Sequence, residues 1–312
     1  MAPEAIGSTP DQVRLACARV AERASSVAIK EGAIEGYAAA LAALPALPSP
    51  DPATHLVEGD RELRVAFVVC LDAINFGSGW WPTIRKRPGH SGYLTIAAGL
   101  TERFRIAGAW GADELTQFEA ADIAAVVGQD PDHPLMAQYA TSLRDVGERV
   151  RFDHAGRFEA VVDDAGGSAV AFADLLAGWD AFDDVSSYEE RPVPFFKRAQ
   201  IAAADLNRTG VVTLRDEDQL TAFADNLVPH VLRVDGVLRL DPELEATIEA
   251  GELLTHGSPE EVELRACALH AIELLSAATG LSPAAIDAVL WNRGREERYK
   301  AIPRPRSRNT AY

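Results

Sequence analysis

The sequence predicts a mostly α-helical fold with a small β element. Helix-start signals recur along the chain, strand-like alternation is rare, and the composition is that of an ordinary globular protein. Its 312 residues are 47% hydrophobic and 25% charged, enough apolar material for a substantial core.

Four segments place a capping side chain before a proline at the first helical position: Thr9-Pro10-Asp11-Gln12, Asp241-Pro242-Glu243, Ser258-Pro259-Glu260-Glu261 and Ser282-Pro283. The hydroxyl or carboxylate satisfies an orphan backbone N–H, and proline has no N–H to lose. Apolar residues at helical spacing follow, for example Val262, Ala266, Leu269 and Ile272. In chain order the helices are expected near 10–30, 33–44, 92–106, 116–127, 132–147, 193–206, 217–228, 241–250, 259–279 and 283–298. Arg64 to Cys70, short and rich in β-branched and aromatic residues, reads as a strand. Val150-Arg151-Phe152 and Phe158 to Val161 flank Asp153-His154-Ala155-Gly156 and read as a hairpin. Pro45, Pro48, Pro50 and Pro52 make 46–53 an extended connection. The expected organisation is one domain over 1–312, with room for two lobes.

The net charge of −17 disfavours binding along a nucleic-acid backbone. The longest apolar runs, such as Val65 to Leu71, are too short to cross a bilayer, and no signal peptide is read near Met1. A cytoplasmic protein with no membrane partner is expected. Three scattered cysteines, Cys17, Cys70 and Cys267, read as buried thiols, neither a disulfide framework nor a zinc site. The seven histidines form no HxxxH or HxH group, so neither a metal nor another cofactor is expected. One region opposes the acidic trend. Arg293, Arg295, Arg298, Lys300, Arg304, Arg306 and Arg308 stand against only Glu296 and Glu297, which reads as a solvated tail or as a clasp for a small anion.

Three segments carry candidate chemistry. In Cys70-Leu71-Asp72-Ala73-Ile74-Asn75-Phe76-Gly77-Ser78-Gly79-Trp80-Trp81-Pro82, an acid, an amide and aromatic rings follow an apolar run. Asp72 and Asn75 suit the hydrogen-bonding edge of a purine-like base, and an aromatic face can stack on it; a turn with core aromatics accounts for the pattern equally well. In Phe195-Phe196-Lys197-Arg198-Ala199-Gln200, two cations sit at a helix start, where the dipole disfavours them unless an anion binds there; two exposed basic residues are the plainer reading. In Leu220-Thr221-Ala222-Phe223-Ala224-Asp225-Asn226-Leu227-Val228-Pro229, Asp225 lies near the end of the expected helix. A carboxylate is disfavoured there and needs a partner or a role.

In order, these segments resemble the queuosine salvage protein family. So do Gly251-Glu252-Leu253-Leu254, Glu261-Val262-Glu263-Leu264-Arg265, Leu290-Trp291 and the closing Arg306-Ser307-Arg308-Asn309-Thr310-Ala311-Tyr312. The resemblance runs from about Val65 to Tyr312. It departs at Gly77-Ser78-Gly79-Trp80-Trp81, where family members usually carry a shorter aromatic-rich sequence, and in the tail, where a histidine often stands.

The resemblance implies a hydrolase that cleaves the N-glycosidic bond of queuosine 5'-monophosphate and releases queuine for tRNA modification. It also implies a fold similar to helical DNA glycosylases. No Gly-Val-Gly hairpin of the DNA-binding kind is read, which with the charge favours a mononucleotide over a stable nucleic-acid complex. By resemblance, Asp225 serves the sugar, either stabilising C1' or activating water. Asp72 and Asn75 then read the base edge, and Phe76 or Trp80 stacks on it. Lys197, helped by Arg304 and Arg308, pairs with the 5'-phosphate. A DNA repair glycosylase and a non-catalytic nucleotide- or queuine-binding protein are the alternatives.

Overall fold

A computed structural model describes residues 8–42 and 49–312. The described chain is mostly α with a few short strands. In order it forms α1 (Thr9–Ala21), β1 (Val27–Ile29), α2 (Glu31–Ala42), α3 (Arg61–Ala73), α4 (Gly92–Ala107), α5 (Ala112–Leu115), α6 (Ala120–Val127), α7 (Pro134–Asp153), α8 (Phe158–Asp164) and α9 (Ala169–Ala177). There follow β2 (Val185–Tyr188), β3 (Arg191–Pro194), α10 (Lys197–Arg208), α11 (Leu227–Val234), β4 (Leu238–Leu240), α12 (Pro242–Glu249), α13 (Pro259–Thr279), α14 (Pro283–Arg293) and α15 (Glu297–Lys300). No single helix among the described residues is long and apolar enough to cross a membrane.

The described residues gather into two compact units. The first takes 8–42, Asp184–Lys197 and Asp218–Asn309; the second takes 49–183, Arg198–Glu217 and Thr310–Tyr312.

In the first unit α13 is the core helix, packed against α1, α2, α11, α14 and β1. Val262, Ala266, Ile272 and Leu275 are fully buried there. Its start follows the capping rule, with the Ser258 hydroxyl accepting from the Glu261 amide and Pro259 at the first position. Asp241 and Ser282 cap α12 and α14 in the same way. The two small sheets both belong to this unit: β1 pairs antiparallel with β4, Val27 opposite Leu240, and β2 with β3, Val185 opposite Pro194.

In the second unit α3 packs against α4, α7 and α8. An edge-to-face series runs Phe67–Phe104–Trp110–Phe118, with centroids 5.6, 5.0 and 4.9 Å apart. The expected strand over Arg64–Cys70 is the middle of α3. Asp60 caps this helix by accepting from the Leu63 amide. Every residue from Val65 to Ala73 is buried. A helix buried on all sides shows no apolar stripe, and its short β-branched run reads like a buried strand.

The hairpin expected around 153–156 is a helix–turn–helix. α7 continues to Asp153, Ala155 and Gly156 turn left-handed, and the Gly156 amide reaches back to the Val150 carbonyl at 2.9 Å. Glu62 on α3 then accepts from the Phe158 and Glu159 amides, closing the start of α8.

The helix expected over 217–228 is also corrected. A short 3₁₀ turn at Glu217–Gln219 leads into a segment without regular structure, and the next helix, α11, starts only at Leu227. Part of the proline-rich connection at 46–53 lies outside the described residues. All three cysteines are buried and free, and burial drives the Cys267 thiol pKa up to about 12.

Candidate functional site

In the first unit the polar cluster centres on Asp225. Its Oδ1 accepts from the backbone amides of Leu227 at 2.7 Å and Val228 at 2.9 Å, so Asp225 caps the N-terminus of α11. This reverses the expected electrostatics: at an N-terminus the helix dipole favours the carboxylate. Burial nonetheless raises its pKa above the ordinary value, against the opposing pull of Lys197, the two amides and Arg304. Asp225 as a residue is half-buried, and its carboxyl group is enclosed deeply enough for burial to outweigh those opposing influences.

Lys197 begins α10 and is buried. Its backbone amide donates to Asp184 Oδ2 at 3.0 Å. The preceding residue, Phe196, is held at φ 47, a left-handed conformation that a bulky side chain adopts only when its surroundings enforce it.

A second carboxylate, Asp287, is not among the residues the sequence motifs single out. It lies on α14, 4% exposed, and accepts from the Phe223 amide at 2.9 Å. Burial first, and then the charge of Asp225, push its pKa well above the ordinary value, while Phe223 N–H and Lys197 pull the other way. Its signal was present: Ala284 and Asp287 share one helix face, so an acid occupies an apolar position.

The basic segment from Arg293 to Arg308 is not a free tail. Arg293 and Arg298 both pair with Asp235, which also accepts from the Tyr37 and Tyr299 hydroxyls. The chain beyond lies along the unit, with the Leu254 amide donating to Arg306 O at 2.8 Å and Asn226 Nδ2 to Pro305 O at 2.7 Å. The Arg304 pKa is lowered by burial and by Arg306, with Asp225 opposing, whereas Arg308 is exposed.

The second unit holds the other predicted residues. Asp72 lies in the last turn of α3, not at a strand end, and its Oδ1 accepts from Asn75 Nδ2 at 3.1 Å; both residues are buried. Arg198 Nη1 donates to the Ala73 carbonyl at 2.6 Å, satisfying the end of α3, and also bonds the Ala181 carbonyl. This buried guanidinium lies 5.1 Å from the Phe76 ring centroid. Phe76 is wholly buried and meets Tyr139 edge to face, whereas Trp80 is half-buried. Between them Gly77 takes φ 123, where a Cβ would stand 2.9 Å from Trp81 Nε1, and its amide donates to the Tyr312 carbonyl.

A family model described as queuosine salvage protein matches residues 54–312. The chain belongs to the queuosine salvage protein family. A relative from Sphaerobacter thermophilus, named queuosine 5'-phosphate N-glycosylase/hydrolase, is 33% identical over 309 residues, covering 94% of this chain and 95% of its own length. Relatives of the same name from Dictyostelium discoideum and Bos taurus are 29% and 28% identical, covering 80% and 78% of this chain and 79% and 80% of their own lengths. Both candidate regions, around Asp72 and around Asp225, fall inside the span matched by the family model, as does Asp287.

Proposed function

We propose that this chain hydrolyses the N-glycosidic bond of queuosine 5'-monophosphate, adding water across the bond to give queuine and ribose 5-phosphate. The observation that carries the proposal is the near full-length similarity to the Sphaerobacter relative bearing that name. Queuine is a 7-deazaguanine: carbon replaces the ring nitrogen that an acid protonates to expel guanine. Its departure therefore depends on stabilising an oxocarbenium-like sugar and on hydrogen bonds around the pyrimidine edge.

Asp225 is assigned to the sugar. Its Oδ1 is engaged by two amides, and Oδ2 remains to face a cationic C1' or to take a proton from the attacking water. Lys197 and Arg304 are assigned to the 5'-phosphate, with Arg308 as an outer contact. Asp72 and Asn75 are assigned to the base edge. Trp80 is assigned as the stacking aromatic, because it is only half-buried whereas Phe76 is closed off in the core.

No step is given to a metal or cofactor, and turnover that survives exhaustive EDTA treatment is expected. The protein is taken to act in the cytoplasm on the free mononucleotide, with neither a stable nucleic-acid complex nor a membrane partner. Incubation of pure protein with queuosine 5'-monophosphate, followed by chromatography, tests the proposal. Free queuine supports it; bound but intact nucleotide indicates a binding protein instead. Tight, steeply salt-dependent binding of duplex DNA would point to repair.

A further inference from the structure

The Asp184–Arg265 pair is fully buried, at 1% exposure for each side chain, and belongs to neither the phosphate nor the sugar assignment. Arg265, on α13, meets Asp184 with both terminal nitrogens, Nη1 to Oδ1 at 2.9 Å and Nη2 to Oδ2 at 2.8 Å. Its Nε, still free of that fork, donates to the Ala224 carbonyl at 2.9 Å, one residue before Asp225. At the other end, Asp184 Oδ2 accepts from the Lys197 amide at 3.0 Å, and the Asp184 carbonyl accepts from the Phe195 amide at 2.9 Å. The guanidinium also lies 3.9 Å from the Phe195 ring centroid. One continuous chain of hydrogen bonds thus runs from the backbone of Lys197 to the backbone preceding Asp225.

A pair this deep is an expensive way to stabilise a fold, since desolvating two charges offsets most of their attraction. What the fork supplies is geometry. A guanidinium engages a carboxylate with two parallel bonds and keeps a third donor at a fixed angle, which a single ammonium cannot do. The irregular segment around Ala224 has no helical bonds to hold it, and the left-handed turn at Phe196 brings its own strain. Both ends of the chain of bonds are therefore places where backbone needs outside support.

We propose that Asp184 and Arg265 are positioning residues that hold Asp225 and Lys197 in fixed register for the reaction, an inference that rests on the roles assigned to those two residues above. Neither member touches substrate. Their effect is on where the carboxylate and the ammonium stand.

Arg265→Lys keeps the buried charge and loses the fork and the Ala224 bond. Asp184→Glu keeps the charge pair and displaces the acceptor from the Lys197 amide. Each is assayed below its own melting temperature for kcat and KM with queuosine 5'-monophosphate, alone and combined with Lys197→Ala. The expected result is a loss of kcat of about 10- to 100-fold, the scale of a misplacement of about 1 Å. A raised KM should accompany it, and the Lys197→Ala effect on KM should shrink in the Arg265→Lys background. A merely structural pair lowers the melting temperature and leaves kcat and KM of the folded enzyme unchanged, and folded variants within about twofold of wild type overturn the proposal. Failure of both variants to fold at any temperature makes the pair a folding determinant and also overturns it. Wild-type protein that leaves the nucleotide intact overturns the activity, and this proposal with it; an active wild type matched by its variants overturns the proposal alone.

Discussion

Asp287 accepts a hydrogen bond from the amide of Phe223 at 2.9 Å, two residues ahead of Asp225. The carboxyl on α14 therefore anchors the segment that carries the proposed catalytic carboxylate, and it does so while buried and within the influence of that second charge.

That relationship predicts a pH signature in stability. Because the Asp287 pKa is raised on folding, the folded chain holds a proton that the unfolded chain has already lost. Its contribution is complete below the ordinary carboxylate pKa of 3.8 and is lost as pH rises through the folded value. Asparagine can accept the same Phe223 bond and does not titrate. Asp287→Asn should gain on wild type in melting temperature as pH rises above the ordinary carboxylate value of 3.8. Parallel curves for the two proteins would remove Asp287 from the account.

Lys197→Ala should weaken binding of the 5'-monophosphate by about 1.5–3 kcal/mol, the range for hydrogen bonds to charged groups, and leave binding of free queuine unchanged. It should also move the acid limb of turnover to higher pH. Lys197 is the strongest of the influences that lower the Asp225 pKa, so its removal delays ionisation of the carboxylate as pH rises. Titration calorimetry with the two ligands and a pH–rate profile check the two effects separately. Equal affinity losses for both ligands would make Lys197 structural.

The two tail arginines should differ. Arg304 is half-buried and acts on the Asp225 charge, whereas Arg308 is exposed. Arg304→Ala is expected to raise KM for the monophosphate and to raise the Asp225 pKa. Arg308→Ala should change binding by no more than about 0.5 kcal/mol, as exposed substitutions usually do. Steady-state kinetics of both variants decide this, and a larger effect at Arg308 would reverse the assignment.

Much of this arrangement was legible in the sequence where local chemistry determines structure. Ser258, Asp241 and Ser282 each precede a proline and each caps its helix, because those rules involve only near neighbours. The hairpin at β2–β3 carries no local signature, because its two turn residues, Glu189 and Glu190, are left-handed without being Asn or Gly. The segment around Asp225 carries helical spacing at Leu220, Phe223, Ala224 and Leu227 yet forms no helix there. Side chains of Asp287 and Arg265, distant in sequence, take the bonds a helix would have made. For the same reason Asp225 stood out as an acid badly placed at a helix end, although it caps the following helix. The bonds of Asp184 and Arg265 are tertiary contacts that no spacing encodes, whereas Asp287 leaves one local trace, an acid on the same helix face as the buried Ala284.

The central claim is that the charge of Asp225 drives the chemistry. Asparagine is as good a helix cap as aspartate, so Asp225→Asn should keep the Leu227 and Val228 bonds and remain folded. It loses only the negative charge that the proposal assigns to the sugar. Removing one well-placed electrostatic group typically costs about 10²–10³ in turnover and spares ground-state binding. The deciding measurement pairs single-turnover release of queuine from queuosine 5'-monophosphate with the dissociation constant of the same nucleotide, for wild type and Asp225→Asn. The expected result is near-normal binding with turnover reduced by that factor; a folded variant that releases queuine at close to the wild-type rate would contradict the account.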